Sequence, residues 1–259
     1  MDLKLENRSV LITGGSKGIG FAVAHRFAEE GCGVRLAARS REALEAAAVQ
    51  LKRSFPVDVQ TFAVDIANAS ERDDLAARCA DVDILVNNAG SIPAGNIEDI
   101  DDEKWRAAWE LKVFGYINLS RSFFARMKSR KKGVIINVIG AAGERLNANY
   151  IAGSTGNAAL MAFTRTLGST SGDDGVRVLG VNPGPVSTDR HVALQRQKAK
   201  LQLGDESRWR EFYEGLPLGR PATPDEIAAT VVFLGSDLSA YTTGTIITVD
   251  GGLSNRGTR

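Results

Sequence analysis

Val10-Leu11-Ile12-Thr13-Gly14-Gly15-Ser16-Lys17-Gly18-Ile19-Gly20 joins an apolar run to a helical pattern through a glycine-rich turn. A short apolar, β-rich run ends at Thr13. Glycines follow at 14, 18 and 20, and a helical pattern over Ile19–Glu30 begins at once. Such glycines permit a tight turn and let a ligand's pyrophosphate approach the backbone closely. The helix start then supplies free N–H groups and a partial positive charge. Three glycines alone are weak evidence, but the strand–turn–helix setting is the one this chemistry requires. A glycine-rich connection without a ligand is the alternative.

Outward from that loop the same rhythm repeats. Further β-rich runs occupy Val34–Ala37, Thr61–Val64, Ile84–Val86, Val134–Val138, Val176–Val181 and Thr245–Val249. Several are apolar without alternation, as strands buried on both faces of a parallel sheet are. Helical patterns separate them over Arg41–Arg53, Ser70–Arg78, Asp102–Lys128, Ala158–Thr170 and Pro224–Gly235. Strand then helix, repeated, predicts a single α/β domain over 1–259. It is a doubly wound, mostly parallel sheet of seven strands with helices on both faces. Right-handed crossovers put the functional site at the carboxyl ends of the strands. One polar stretch, 189–220, interrupts the pattern and is read as a substrate-side lid or a surface insertion.

Composition narrows the function classes. The chain has 259 residues, 43% apolar and 24% charged, with a formal net charge of +1. That length buries a sizeable core without disulfides or metals. The near-neutral charge offers no basic footprint for nucleic acid. Cys32 and Cys79 form no disulfide framework and have no zinc-ligand spacing, so no metal site is expected. No apolar run of membrane-spanning length occurs, and the charged start from Met1 to Arg8 lacks the apolar core of a secretory signal. The expectation is a cytoplasmic protein with a small-molecule partner.

Four motifs in order then resemble the short-chain dehydrogenase/reductase family over essentially the whole chain. They are Thr-Gly-x-x-x-Gly-x-Gly at 13–20, Asn87-Asn88-Ala89-Gly90, Pro183-Gly184-Pro185-Val186-Ser187-Thr188 and Val249-Asp250-Gly251-Gly252. The resemblance implies a Rossmann fold, a nicotinamide cofactor and a homodimer or homotetramer. By position it implies cofactor contacts from Gly14, Ser16, Lys17, Gly18, Ile19 and Gly20, from Asp65 and Ile66, from Asn88, Ala89 and Gly90, and from Pro183, Gly184, Val186 and Thr188.

The choice of nicotinamide turns on the end of the second strand. An acidic residue there binds the ribose 2′-OH of NAD. This chain has Ala38 at that place, followed by Arg39, and Lys17 stands before the second motif glycine. A guanidinium accepts a 2′-phosphate bidentately. The pair resembles NADP-preferring members, so NADP is expected and NAD is the alternative.

The catalytic positions depart from the family pattern. Its usual set is a Ser, a Tyr and a Lys in Tyr-x-x-x-Lys, and an Asn on the long fourth-unit helix. The Tyr acts as acid or base, matched to hydride transfer. From Asn157 to Gly184 is 27 residues, which aligns without a gap and puts Asn157 at the Lys position. Gly153 then holds the Tyr position, Gly140 the Ser position and Lys112 the Asn position. Lys and Asn thus look exchanged. Lys112 is read as the site ammonium and Asn157 as a contact to the ribose hydroxyls. Tyr150, three residues before Gly153, is read as an aromatic whose ring reaches the vacated place and whose hydroxyl acts as acid or base. Ser154 is a weaker candidate.

Other residues carry less. His25 reads as core or surface, and His191 as a surface residue or a substrate contact. Trp209, Phe212 and Tyr213 read as packing of the inserted stretch. Arg196, Lys198 and Lys200 form a solvated face or attract an anionic substrate. Three functions remain open: an NADP(H)-linked oxidoreductase with a rearranged catalytic set, a non-catalytic nucleotide-binding protein, and a non-redox lyase or isomerase.

Overall fold

In the computed structural model, which describes residues 2–257, the seven runs become one sheet. Its strands are β1 (Ser9–Thr13), β2 (Gly33–Ala38), β3 (Val59–Ala63), β4 (Ile84–Asn87), β5 (Gly133–Val138), β6 (Val176–Pro183) and β7 (Ile246–Val249). The order is β3-β2-β1-β4-β5-β6-β7 and every pairing is parallel. The order reverses between β1 and β4, which opens a crevice at their carboxyl ends.

Eight α-helices cover the sheet: α1 (Gly18–Glu29), α2 (Arg41–Ser54), α3 (Ala69–Arg78), α4 (Asp102–Trp109), α5 (Gly115–Ser129), α6 (Ile151–Ser171), α7 (Asp189–Leu203) and α8 (Pro224–Gly235). Alternation along β1 divides the core. Val10 and Ile12 pack with Phe27 of α1, Leu44 of α2 and Ile227 of α8. Leu11 points the other way, with Leu75 of α3 and Phe123 of α5. β4 and β5 are buried at every residue, which explains their unbroken apolar sequence.

Two expectations are corrected. The helical pattern over Asp102–Lys128 is not continuous, because α4 and α5 are joined by a π-helical turn at Glu110–Phe114. α6 begins at Ile151 rather than Ala158. Gly153, Ser154 and Gly156 obscure its first turns, where low helix propensity is overridden by packing. Tyr150 is the residue before the helix, with φ −141° and ψ 42°. The stretch 189–220 is ordered as α7, a 3-10 helix at Glu206–Tyr213 and a 3-10 turn at Pro217–Gly219.

Candidate active site

The phosphate loop is built as its sequence demands. Gly14 adopts φ +66°, and a Cβ on Gly20 would run into the Gly14 carbonyl. Asn88 braces the loop from β4: its Nδ2 donates to the carbonyls of Thr13 at 3.0 Å and Gly14 at 3.3 Å. The backbone N–H groups of Asn88 and Ala89 both donate to the Thr13 hydroxyl. Side chains cap the N-termini of α2, α3, α4, α7 and α8. The N-terminus of α1, like those of α5 and α6, has no such cap and no acidic residue in its first turn, and it alone follows the glycine loop. Its first N–H groups are thus left for an anion.

Around this loop stand the remaining motif residues. Thr188 lies against Gly18, with its methyl group 3.2 Å from where a Cβ would stand, and its hydroxyl accepts the N–H of His191 to start α7. Gly184 gives way to Asp250, which would meet a Cβ there at 2.7 Å. Val186 pairs with Ala222. Arg39 and Lys17 are exposed and enter no ion pair among the described residues. Asp65 holds its own turn, Oδ1 accepting the N–H of Ala67 at 3.0 Å, and Ile66 is buried beneath Gly115.

Lys112 and Asn157 meet directly. The π-helical turn widens the backbone so that two successive residues, Lys112 and Val113, both point inward and are buried. The Lys112 stem crosses Gly90, where a Cβ would come within 2.9 Å of Cδ. Its Nζ donates to the Ile139 carbonyl at 2.6 Å and to Asn157 Oδ1 at 2.9 Å. Asn157, 2% exposed, turns its Nδ2 to the Gly140 carbonyl at 3.3 Å. Both amide ends of Asn157 are thus engaged within the chain. No carboxylate pairs with Lys112 among the described residues. Burial, and the Arg190 charge second, push its pKa down to about 8.

The two glycines create the room next to this pair. Gly140 sits at φ +127°, and a Cβ there would come 2.9 Å from Asn157 Nδ2. Over Gly153 lies the ring of Tyr150, whose Cε1 and Cζ occupy the place a Cβ would take. Backbone bonds hold Tyr150 there: Gly95 N–H donates to Asn149 O and Ile151 N–H to Gly95 O. Burial raises the Tyr150 pKa, and the positive charge of Arg190 opposes that rise. Ser154 is turned away from chemistry, because its hydroxyl accepts the N–H of Asn147 at 3.1 Å and holds the preceding turn.

Sequence reasoning missed Arg190. It is the second residue of α7, donates to the Ile92 carbonyl at 3.5 Å and acts electrostatically on both Lys112 and Tyr150. Its only signal was the place directly after the Pro-Gly motif. Trp109 was missed too; its Nε1 donates to the Ala152 carbonyl at 3.0 Å and ties α4 to the start of α6. His25 packs edge-on against Phe55. Arg196 lies over Trp209 and Lys198 over Phe212, so their stems and charges are engaged with aromatic rings. Among the described residues no group of acidic, His or Cys side chains could hold a metal, and no helix is long and apolar enough to cross a membrane.

Comparison with known proteins agrees with this fold. The family model for enoyl-(acyl carrier protein) reductase matches residues 14–254. The chain is 30% identical over 257 residues to the 3-oxoacyl-(acyl-carrier-protein) reductase FabG of Chlamydia trachomatis, covering 96% of this chain and 98% of that one. It is 32% identical over 264 residues to a 3alpha-hydroxysteroid dehydrogenase of Mediterraneibacter gnavus, covering 97% and 98%. Among solved structures, L-sorbose reductase from Gluconobacter frateurii, in complex with NADPH and L-sorbose, superposes with a TM-score of 0.93 at 33% identity. That match covers 99% of this chain and 100% of the other. With the sheet order, the phosphate loop and four motifs all in place, the chain belongs to the short-chain dehydrogenase/reductase family of oxidoreductases.

Proposed function

We propose that the protein is an NADP(H)-linked oxidoreductase interconverting a carbonyl compound and its alcohol through a rearranged proton-transfer set. The observation that carries this reading is the Tyr150 ring lying over Gly153, on the helix that also bears Asn157 and its bound Lys112. The residues present fit the cofactor. The uncapped start of α1 and the Gly14–Gly20 loop suit the pyrophosphate. Arg39 and Lys17, free of ion pairs among the described residues, suit the 2′-phosphate. Asp65 and Ile66 would flank the adenine, Asn88–Gly90 the adjoining ribose, and Pro183–Thr188 the nicotinamide end. NADPH-bound relatives such as the sorbose reductase support the choice.

When bound, this cofactor supplies or accepts a hydride. The chain's own residues handle the proton. Tyr150 donates from its hydroxyl to the carbonyl oxygen during reduction, or accepts from the alcohol during oxidation. Lys112, poised to exchange a proton near neutral pH, replenishes it. Asn157 acts as a positioning residue, holding the Lys112 ammonium by one hydrogen bond. Its side chain is already paired at both ends, so we assign the ribose hydroxyls to Lys112 rather than to Asn157. Arg190 keeps Tyr150 from rising further in pKa. The segment 189–220 covers the substrate side. We also expect a homodimer or homotetramer, as in the family.

One observation favours a second reading. No hydroxyl stands at Gly140, where the family holds the substrate oxygen, and two donors of Lys112 are already engaged. A nucleotide-binding protein without turnover would look like this. Fluorescence titration with NADPH and NADH, followed by single-turnover reduction of a carbonyl panel, separates the two. Preferential NADPH binding with hydride transfer that falls in Tyr150→Phe supports the enzyme. NADPH binding with no transfer to any carbonyl supports the binding protein.

A further inference from the structure

Arg190 reaches across the carboxyl end of the sheet. It lies on the segment after β6, and its guanidinium donates to the carbonyl of Ile92, in the loop after β4, at 3.5 Å. The strand between those two is β5. The side chain therefore crosses above the end of β5, where Ile139 and Gly140 follow. Ile139 is the residue whose carbonyl accepts Lys112 Nζ, and Gly140 is the one that leaves room beside Asn157. Ile92 is buried in a cluster with Ala152, and Tyr150 packs against that same cluster. The positive charge of Arg190 is accordingly felt by both Lys112 and Tyr150.

Arg190 is also unspent. The residue is exposed, and the long bond to Ile92 is its one side-chain hydrogen bond among the described residues. Most of the five N–H donors of a guanidinium stay open in such an arrangement. Arg26, Arg35, Arg208 and Arg220 each grip a carboxylate with two nitrogens. Arg190 offers the same fork with no acid in it, and even its neighbour Asp189 does not pair with it. The charge around it is one-sided. No carboxylate acts on Lys112 or on Tyr150. Glu144, the acid nearest in sequence to Gly140, is turned to the Thr248 hydroxyl at 2.8 Å. A crevice lined by one sign of charge concentrates ligands of the other sign.

We infer that Arg190 is a specificity residue that binds a carboxylate, so that the carbonyl substrate is an oxo acid. The inference rests on the oxidoreductase reading for the reaction but not for the binding. A planar carboxylate accepts two parallel N–H bonds from a guanidinium, which an uncharged ester matches poorly. Carboxylate and carbonyl belong to one short molecule, so seating the first on Arg190 orients the second towards Tyr150 and Lys112. In reduction, a hydride adds to the carbonyl carbon, a proton adds to its oxygen, and the nicotinamide is oxidised. The carboxylate stays ionised and changes no bond.

The test is isothermal titration of 2-, 3- and 4-oxopentanoate, each beside its methyl ester, into the chain with and without NADP. The same compounds are assayed for NADPH oxidation. At least one acid should bind about tenfold or more tightly than its ester, the worth of one hydrogen bond to a charged group. Arg190→Gln should abolish that preference and raise KM for the acid more than it lowers kcat. Arg190→Lys, which keeps the charge without the fork, should restore part of it. Both variants should keep wild-type Tm and NADPH affinity. Acids that bind no better than their esters, or a preference that survives Arg190→Gln, overturn the inference. Loss of NADPH affinity in Arg190→Gln also overturns it, because the guanidinium then serves the nucleotide. Acid binding without hydride transfer upholds it and defeats the oxidoreductase reading. Hydride transfer to the esters with no preference for the acids does the reverse.

Discussion

Lys112 Nζ and Asn157 Oδ1 are hydrogen-bonded at 2.9 Å, although one residue lies in the π-helical turn between α4 and α5 and the other on α6. The family places the amide on the first of these elements and the ammonium on the second. On the reading proposed above each stands in the other's place, and in this chain the two side chains touch directly. An exchange of this kind preserves a pairwise interaction while moving the charge from one wall of the site to the other.

That relationship sets up a double-mutant cycle. Asn157→Lys alone puts a second ammonium beside a buried one, and Lys112→Asn alone leaves Asn157 Oδ1 and the Ile139 carbonyl without their donor. Each single change should destabilise the protein by about 1–3 kcal/mol, the range for a buried polar group left unpaired. The double exchange should recover at least about 1 kcal/mol of coupling, as contacting residues do. Chemical denaturation measures it. Strict additivity would mean that the two side chains do not act as a pair.

Stability should also respond to pH in a window set by Lys112. In the unfolded chain its pKa is the ordinary 10.5, and in the fold it is pushed down to about 8. Between those values the unfolded state holds a proton that the folded state has released. Stability from this group therefore rises as pH climbs from 8 towards 10.5. The destabilising contribution is fully present below pH 8 and amounts to about 3 kcal/mol at one pKa unit per 1.36 kcal/mol. Lys112→Met removes the charge and should flatten that slope. Denaturation midpoints at pH 7 and pH 10, compared between wild type and variant, provide the check.

Much of this was legible in the sequence, for reasons that differ by element. The phosphate loop and α1 were readable because three glycines and a periodic apolar pattern coincide at 10–30. β4 and β5 were readable because burial on both faces leaves no alternation. The start of α6 was not, since Gly153, Ser154 and Gly156 carry no helical preference and are held by packing against Tyr150, Asn147 and Val113. The π-helical turn at Glu110–Phe114 was hidden as well, because its residues suit an ordinary helix and the extra backbone width has no compositional mark. Arg190 was lost among the charges of a polar stretch. Only its approach to Ile92 and to the exchanged pair distinguishes it from Arg196 or Arg210.

The charges near the phosphate loop yield a selectivity prediction. Arg39 and Lys17 are exposed and make no ion pair among the described residues, so they are available to a 2′-phosphate. Hydrogen bonds to a charged group contribute about 1.5–3 kcal/mol each. Arg39→Ala should weaken NADPH binding by about ten- to hundredfold and leave NADH binding nearly unchanged. Raising salt should weaken NADPH binding to wild type more than to the variant. Equal losses for both nucleotides would mean that Arg39 acts on the adenosine generally.

Gly153 and Tyr150 offer the sharpest test of the rearranged site. A methyl group at 153 would occupy the space of the Tyr150 ring, so Gly153→Ala must displace that ring or strain α6. Overpacking of this kind costs about 1–3 kcal/mol. Tyr150→Phe keeps the ring in place and removes only a hydroxyl that has no hydrogen bond among the described residues. It should leave Tm close to wild type. If the hydroxyl transfers the proton, Tyr150→Phe lowers kcat by about 10²–10⁴-fold, the usual contribution of a positioned acid or base. Gly153→Ala should then lower both Tm and kcat, because it moves the same hydroxyl without deleting it. NADPH affinity should survive in both. A Gly153→Ala enzyme with reduced Tm and full kcat would show that the Tyr150 ring only fills space, and would shift the acid–base role to Lys112.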